Sequence, residues 1–197
     1  MHQVFAWEHR LSKKCILIIG GARSGKSQFA LEMASSLDDK VLFVATGEPL
    51  DEEMRERIEE HKKKRPSGWR TIEVPTGVGR RIKEEIRDAR VVILDCLTLL
   101  VSNVMSQCGD AEQVDPKFAE DKLALEIKEL IECIDGIDAS FIIVSNEVGM
   151  GLVPENRLGR LYRDLLGKVN QKLARHADKI HLMVAGIAID VKNLGRS

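Results

Sequence analysis

Short runs of consecutive hydrophobic residues alternate along the chain with longer segments in which hydrophobic residues recur every three or four positions. The continuous runs predict strands that are covered on both faces, as in a parallel sheet. The periodic segments predict amphipathic helices. Together they predict an α/β fold with a mostly parallel, doubly wound sheet. The predicted strands are 15–20, 41–46, 71–75, the start of 90–103, 139–146 and 179–186, and the predicted helices are 28–37, 51–64, 78–89, 117–134 and 156–177.

Two parts of the chain lack these patterns. Residues 1–14 predict a polar extension, whose longest apolar run is too short for the core of a signal peptide. Residues 102–121 are mostly polar, contain Gly109 and Pro116, and predict a long loop or lid. We assign 15–197 to a single domain, a length that allows a substantial buried core.

The composition is that of a soluble globular protein, with 44% hydrophobic and 31% charged residues. Thirty Lys and Arg residues balance 31 Asp and Glu residues, so the net charge predicts no general attraction to nucleic acid or to an anionic membrane. No apolar run approaches the roughly 20 residues that span a bilayer. The 4 scattered cysteines predict core residues in a reducing compartment, and we expect a cytoplasmic protein.

The first predicted strand leads into the segment GGARSGKS (20–27), which fits the pattern G-x-x-x-x-G-K-[ST] between a strand and a helix. The glycines allow successive backbone N–H groups to point at phosphate oxygens, and the next helix adds its positive N-terminus. A glycine-rich turn with an exposed lysine is the alternative, but the strand and helix on either side favour a P-loop nucleotide-binding enzyme of RecA-like architecture. Lys26 would contact the β- and γ-phosphates, and Ser27 would bind Mg²⁺. The predicted phosphate-binding residues are Gly20, Gly21, Ala22, Arg23, Ser24, Gly25, Lys26 and Ser27.

An acidic partner for the phosphate loop is expected at the end of a neighbouring buried strand. Asp95 closes the run VVILD and is the candidate to hold Mg²⁺, directly or through water. An aspartate after an apolar strand also occurs as a simple helix cap. The phosphate loop favours the metal-binding interpretation of Asp95.

The charged helix predicted over 51–64 carries Met54, Ile58 and His61 on one face, because they are spaced i, i+4, i+7. One interpretation is an incidental histidine on an inward-facing stripe. The other is a nucleophile beside a polyphosphate site, since Arg57 and the basic run 62–65 surround His61. Spacing alone does not decide between them.

With these motifs the chain resembles the bifunctional adenosylcobinamide kinase/adenosylcobinamide-phosphate guanylyltransferase family. The resemblance extends from about residue 15 to 191 and rests on colinear segments. These are GGARSGKS (20–27), VATGEPLDEEMRERIEEHKKKRP (44–66), W-x-T-x-E-x-P (69–75), VILDCLTLLVSN (92–103) and SNEVGMGLVPENRLGRLYRDLLGKVNQKLA (145–174). It implies that a nucleoside triphosphate phosphorylates adenosylcobinamide, and that GTP then gives GMP through a guanylylated histidine. His61 matches that histidine, because Glu60 stands where some members have a second one.

The resemblance also implies ATP and GTP as substrates, Mg²⁺ as cofactor and a homo-oligomer, for which the family suggests a trimer. Asp95 falls at the acidic position of the family's motif. Closure of the helix that carries His61 is expected to bring His61 to the phosphate loop. The corrinoid is expected near the predicted loop 103–121. The further nucleotide contacts that the resemblance implies are Thr46, Gly47, Glu48, Lys62, Lys63, Lys64, Arg65 and Glu73.

Several alternatives stay open on the sequence. In NEVGMG (146–151), Asn146 and Glu147 would contact a ligand, or the glycines would only form a turn before a helix beginning at Pro154. Three arginines in the next helix predict a solvated face or a subunit contact; they are Arg157, Arg160 and Arg163. The alternative functions are a P-loop kinase with one of the two activities, and a nucleotide-dependent switch or binding module.

Overall fold

The computed structural model describes residues 13–49, 51–109 and 114–194, and most of the predicted N-terminal extension, residues 1–12, lies outside them. Within these residues the strands are β1 (Cys15–Gly20), β2 (Val41–Ala45), β3 (Arg70–Glu73), β4 (Val91–Asp95), β5 (Ser140–Asn146), β6 (Lys179–Val184) and β7 (Ile187–Asp190). The helices are α1 (Lys26–Leu37), α2 (Glu52–Lys63), α3 (Val78–Glu85), α4 (Leu97–Ser106), α5 (Pro116–Gly136), α6 (Arg157–His176) and α7 (Val191–Leu194).

The strands form one sheet in the order β3-β2-β4-β5-β1-β6-β7. Strands β1 to β6 pair in parallel, and β7 pairs antiparallel with β6. One strand, β5, lies between β1, which leads into the predicted phosphate loop, and β4, which ends at Asp95. The mostly parallel α/β fold predicted from the continuous apolar runs is therefore confirmed.

Helices cover both faces of the sheet. On one face α1 packs Ala30, Met33 and Ala34 against the inward side chains of β1, β2, β4 and β5. On the other face α3, α4, α5 and α6 form the larger part of the core. Buried strands of this kind carry apolar residues on both sides, which is why their sequences show no alternation. The doubly wound arrangement is confirmed.

The predicted loop or lid at 102–121 is wrong for most of its length. Residues up to Ser106 belong to α4, whose buried Leu97, Leu100 and Val104 face the core. Residues from Pro116 onward belong to α5, because the Asp115 side chain accepts hydrogen bonds from the first N–H groups of that helix. Proline is favoured at the first position of a helix, so it marks a helix start here and not a loop.

The parallel strands place one set of residues along a single edge of the sheet. Gly20, Ala45, Glu73, Asp95 and Asn146 are the last residues of β1, β2, β3, β4 and β5. Ligands of open α/β sheets bind at this carboxyl edge. The segments predicted to carry the chemistry therefore meet at one place in the fold.

A helix that crosses a membrane must be both long and apolar. Among the described residues, no helix has the combination of length and hydrophobicity that a bilayer crossing needs.

All four cysteines are free thiols, and two of them, Cys15 and Cys133, are buried.

Candidate active site

The segment between β1 and α1 forms a tight loop that needs glycine. Gly25 directly precedes α1 and adopts a left-handed φ of 96°, a conformation that glycine adopts more readily than other residues. A Cβ at Gly20 would lie 2.6 Å from the carbonyl oxygen of Met183. Because the first N–H groups of a helix have no partner within the helix, the start of α1 offers donors to an anion.

Two polar side chains of this loop are buried. The Nζ of Lys26 donates to the carbonyl oxygen of Gly21 at 2.6 Å, so the lysine lies across the loop. The hydroxyl of Ser24 is buried and has no hydrogen-bond partner among the described residues. A buried polar group without a partner is costly, and a phosphate oxygen at this loop would satisfy it. The loop therefore has the features of a phosphate cradle.

An open cavity of about 840 Å³ lies in front of this loop at the carboxyl edge. Its polar wall includes Lys26 and Ser27 from α1, His61 from α2, Arg65 and Asp95. The structure thus brings together the phosphate loop, the candidate nucleophile and the candidate metal-binding carboxylate. They come from three separate parts of the chain.

The opposite wall of the cavity is apolar. Met54 and Ile58 of α2 contribute to it together with Leu99 of α4. Met54, Ile58 and His61 line the same cavity, which confirms the prediction that they share one helical face. Helix α2 is fixed at its start by Asp51, whose carboxylate accepts a hydrogen bond from the N–H of Met54 at 2.7 Å.

His61 lies next to Asp95. The Nδ1 atom of His61 is 3.8 Å from Oδ2 of Asp95, and the two side chains are 34% and 12% exposed. The sequence predicts that a closure is needed to bring His61 to the phosphate loop. In this structure, however, the imidazole already lines the same cavity as Lys26. The Nδ1 side of the ring faces the carboxylate.

Arg65 supplies a partly buried positive charge to the same wall. Its guanidinium lies 3.9 Å from the ring centroid of Phe43, and its Nε is buried without a partner among the described residues. Burial lowers the pKa of Arg65, while the negative charges of Asp95 and Glu73 oppose this shift. An arginine stays protonated in proteins, so the site holds a cation that is not fully hydrogen bonded.

The other predicted basic residues lie in different surroundings. Lys62 forms ion pairs with Glu73 at 2.9 Å and Glu59 at 3.2 Å, and the hydrogen bond to Glu73 is the main cause that raises the pKa of Lys62. Lys64 lines a smaller cavity that also contacts His61, whereas Lys63 is exposed. The side chain of Arg57 lies outside the described residues.

The segment after β2 contributes less to the cavity than the resemblance implies. Gly47 lines it, but Thr46 and Glu48 do not. Thr46 is fully buried: its hydroxyl donates to the carbonyl of Cys96 at 2.7 Å and accepts from the N–H of Cys96 at 2.9 Å. Asn103 of α4 donates to the carbonyl of Thr46 at 2.8 Å. The side chain of Thr46 therefore holds the segment that follows Asp95.

Two cavity residues from α4, Thr98 and Leu99, do not appear in the sequence prediction. The hydroxyl of Thr98 accepts a hydrogen bond from the N–H of Asn146 at 2.8 Å, which links α4 to the end of β5. They are missed because the sequence analysis predicts no helix directly after the strand that ends at Asp95, although the helical spacing of Leu97, Leu100 and Val104 indicates one. Cys96 also lines the cavity, and burial raises its pKa to about 11, so it is a thiol at neutral pH.

The segment between β5 and α6 is held by the arginines that follow it. Arg163 donates to the carbonyl of Gly149 at 2.6 Å, and Arg160 donates to the carbonyl of Pro154 at 3.1 Å. Arg160 is exposed and Arg163 is partly exposed, so the two arginines hold this segment from the solvated face that the sequence predicts. Helix α6 begins at Arg157 and not at Pro154, because the side chain of Asn156 accepts from the N–H of Gly159 and caps the helix.

The chain was compared with known protein families and structures. A family model described as cobinamide kinase / cobinamide phosphate guanyltransferase matches residues 16–191. The bifunctional adenosylcobalamin biosynthesis protein CobU of Escherichia coli (strain K12) is 41% identical over 180 residues, which cover 90% of this chain and 99% of that protein. The bifunctional adenosylcobalamin biosynthesis protein CobP of Pseudomonas aeruginosa is 36% identical over 176 residues, which cover 89% and 96%.

Similarity to a solved structure concerns the fold alone. A solved ATPase domain matches with a TM-score of 0.51 and 16% identity, over 86% of this chain and 69% of that one. The predicted P-loop NTPase architecture is confirmed by this likeness together with the sheet order.

Proposed function

We propose that this chain, which belongs to the cobinamide kinase / cobinamide phosphate guanyltransferase family, catalyses both reactions that the family name describes. In the first, a nucleoside triphosphate phosphorylates the hydroxyl of the aminopropanol arm of adenosylcobinamide. In the second, GTP transfers GMP to that phosphate, giving adenosylcobinamide-GDP and pyrophosphate. The observation that carries the proposal is that His61 lies 3.8 Å from Asp95 in the cavity of the phosphate loop.

The kinase step uses the phosphate loop. The N–H groups at the start of α1 and the Nζ of Lys26 would bind the β- and γ-phosphates and stabilise the charge that develops during transfer. For this, Lys26 exchanges its bond to the carbonyl of Gly21 for bonds to phosphate oxygens. The acceptor hydroxyl attacks the γ-phosphorus in line and releases its proton to water, while the bond from the γ-phosphorus to the bridging oxygen breaks and the nucleoside diphosphate leaves.

The residues present fit a magnesium ion bound with the nucleotide. Ser27 and Asp95 both line the cavity and offer a hydroxyl and a carboxylate oxygen, the ligand type that Mg²⁺ prefers. Magnesium usually takes one or two protein ligands and completes its shell with phosphates and water. Within the described part of the chain no group of three or more His, Cys, Asp or Glu side chains could hold a metal alone. When bound, the ion would neutralise charge on the phosphates.

The guanylyl step uses His61. Because Nδ1 faces Asp95, the Nε2 atom is the one left to attack the α-phosphorus of GTP. A bond forms between Nε2 and phosphorus, the bond to the β-phosphate oxygen breaks, and pyrophosphate leaves. The phosphate of adenosylcobinamide phosphate then attacks the same phosphorus and releases His61. Arg65, whose Nε has no partner among the described residues, supplies positive charge beside the reacting phosphate.

The setting of the enzyme is part of the proposal. We place it in the cytoplasm, and the four free cysteines support a reducing compartment.

We also propose a homo-oligomer, a trimer according to the resemblance. Support comes from the outer strands β6 and β7, where Val184, Ile187 and Ile189 are exposed, and from the exposed Leu194 of α7.

The experiment separates the two reactions by substitution. The chain is incubated with adenosylcobinamide, ATP, GTP and Mg²⁺, and the corrinoid products are identified by mass spectrometry. Lys26→Ala should form neither product, whereas His61→Ala should form adenosylcobinamide phosphate but not adenosylcobinamide-GDP. Lys172→Ala, at an exposed position of α6, is the control and should form both. Adenosylcobinamide-GDP formation by His61→Ala at the wild-type rate would refute the role of His61.

A further inference from the structure

The segment that joins β5 to α6, residues 147–156, exposes three large hydrophobic side chains. Met150 is 81% exposed, Leu152 is 96% exposed and Val153 is 65% exposed. We call this segment the β5–α6 loop. Single exposed hydrophobic residues are ordinary in proteins, but adjacent ones on one loop indicate a surface that meets an apolar partner.

Hydrogen bonds fix the β5–α6 loop in place. Arg163 donates to the carbonyl of Gly149 at 2.6 Å, and the N–H of Gly149 donates to the carboxylate of Glu147 at 2.6 Å. At the other end, Arg160 donates to the carbonyls of Pro154 and Glu155. The polar groups of α6 therefore hold the backbone, while the hydrophobic side chains point away from the core. This arrangement presents an apolar surface in a defined shape.

The β5–α6 loop starts at the wall of the active-site cavity. Asn146, the residue before it, lines the cavity, and the N–H of Glu147 donates to the carbonyl of Gly20 in the phosphate loop at 3.0 Å. The cavity is lined by residues of β2, β4 and β5, all on one side of β1 in the sheet order. The exposed hydrophobic residues of β6 and β7 lie on the other side of β1. Of these exposed hydrophobic segments, the β5–α6 loop is the one that continues the cavity wall.

The acceptor in the proposed function, adenosylcobinamide, is too large to lie wholly inside the cavity. About 150 Å³ of the cavity can be occupied by water-sized groups, which is below the range of sites that enclose a drug-sized ligand. The nucleoside triphosphate fills this space in the proposed function, so only the aminopropanol arm of the acceptor can enter. The corrin macrocycle, whose faces are largely apolar, must therefore lie outside, next to the mouth.

We propose that the β5–α6 loop seats the corrin ring of the acceptor through Met150, Leu152 and Val153. This inference rests on the proposed function and deepens it by assigning the acceptor subsite. Contact with the ring would hold the aminopropanol hydroxyl at the mouth of the cavity, in reach of the γ-phosphate. The sequence places the corrinoid near 103–121 instead, most of which the structure assigns to α4 and α5.

The test replaces two of the exposed side chains, as Met150→Ser/Leu152→Ser. Because these side chains pack against nothing in the core, the variant should fold like the wild type, which thermal unfolding checks. We expect the KM for adenosylcobinamide in the kinase reaction to rise about tenfold, which corresponds to about 1.4 kcal/mol, because the variant removes the apolar area of two contacting side chains. The KM for the nucleotide and kcat at saturating acceptor should not change. Leu125→Ser, at a position of α5 that is 62% exposed, is the matched control and should match the wild type.

A truncated acceptor distinguishes ring contact from an indirect effect. An N-acylated 1-amino-2-propanol has the reacting hydroxyl but no corrin ring, so wild type and variant should phosphorylate it equally slowly. Direct binding of adenosylcobinamide, followed by its visible absorbance in equilibrium dialysis, should weaken about tenfold in the variant. If the wild type binds the corrinoid without phosphorylating it, the proposed function fails, while the loss of binding in the variant still supports the seat.

Three results would overturn the inference. One is an unchanged corrinoid KM and affinity in Met150→Ser/Leu152→Ser. The second is a wild type that does not bind adenosylcobinamide at all. The third is a smaller oligomer of the variant by light scattering, which would show that a second copy of the chain covers the loop.

Discussion

Thr46 illustrates how a single side chain can serve the site without touching a ligand. Its hydroxyl bonds to both the N–H and the carbonyl of Cys96, the residue after Asp95. The side chain is fully buried, so these bonds are made out of contact with water. The sequence resemblance places Thr46 among nucleotide contacts, whereas its position favours a role in holding Asp95 at the cavity.

We expect Thr46→Val to destabilise the protein by about 2 kcal/mol, because the substitution leaves the N–H of Cys96 without its partner and removes one of two hydrogen bonds to the Cys96 carbonyl, which still accepts from the N–H of Leu100. Urea denaturation measures the loss, and Thr71→Val, on an exposed position of β3, is the control. Unchanged stability together with a loss of GTP affinity would instead indicate a direct contact between Thr46 and the nucleotide.

His181 is a buried titratable residue that the proposed reactions do not use. Its side chain lies against Phe29 of α1 with ring centroids 5.3 Å apart, and neither nitrogen has a hydrogen-bond partner among the described residues. Burial is the largest cause that lowers the pKa of His181; Lys179 acts in the same direction and Asp190 opposes it. The folded protein therefore keeps this imidazole neutral at a pH where the unfolded chain binds a proton.

The contribution of His181 to stability should be fully present above pH 6.5 and decline as the pH falls below that value. The loss is at most about 1.4 kcal/mol per pH unit, since only one group titrates. Urea denaturation of the wild type and of His181→Leu, at several values of pH from neutral downward, isolates this residue from the other histidines. Identical pH dependence in the two proteins would contradict the assignment.

At the scale of elements, the continuous apolar runs predict the buried strands, but the sequence patterns do not predict every helix and strand. The strands β1, β2, β4 and β5 follow from the sequence because burial on both faces excludes polar residues. Helix α4 is missed because it begins at Leu97 without a side-chain cap from Cys96 and follows β4 almost directly. Strand β7 is missed because only Ala185 and Gly186 separate it from β6, and the predicted strand 179–186 includes this turn.

The candidate site likewise contains residues that the sequence predicts and residues that it does not. The phosphate loop, Asp95 and His61 could be predicted, since each belongs to a motif or a helical face. Arg65 was predicted as a basic contact, but its place over Phe43 depends on how α2 meets β2, which no local pattern contains. Thr98 and Leu99 could not be placed at the cavity without α4.

The turn between β6 and β7 packs against the phosphate loop. The N–H of Gly186 donates to the carbonyl of Ser24 at 3.0 Å. A Cβ at Gly25 would lie 3.2 Å from the Cα of Gly186, and the φ of 96° at Gly25 is unfavourable for other residues. The hairpin and the phosphate loop thus fix each other's conformation.

We expect Gly25→Ala to weaken GTP binding about tenfold or more, because strain of about 1–3 kcal/mol at this position shifts the loop away from the conformation that binds phosphate. Isothermal titration calorimetry measures the affinity. Gly68→Ala is the control, since a Cβ at Gly68 meets nothing within 4 Å. Wild-type affinity in Gly25→Ala would show that the loop tolerates a side chain there.

At the scale of the whole molecule, the fold brings distant segments to one cavity. The phosphate loop follows β1, Asp95 ends β4, and His61 lies on α2 between β2 and β3. Helix α2 spans the mouth with Met54, Ile58 and His61 directed at the cavity. Two successive transfers can share this cavity, because the γ-phosphate would meet the acceptor in one reaction and the α-phosphate would meet His61 in the other.

The most direct test of this shared cavity is covalent labelling with GTP carrying radioactive phosphorus at the α-position. The label should remain on the protein, should be released by acid but not by alkali as a phosphorus–nitrogen bond requires, and should map to the peptide containing His61. His61→Ala should carry no label, while His176→Ala, a partly exposed histidine paired with Asp135, should be labelled like the wild type. Label on a different residue, or no label with GTP bound, would contradict the proposal that His61 accepts GMP.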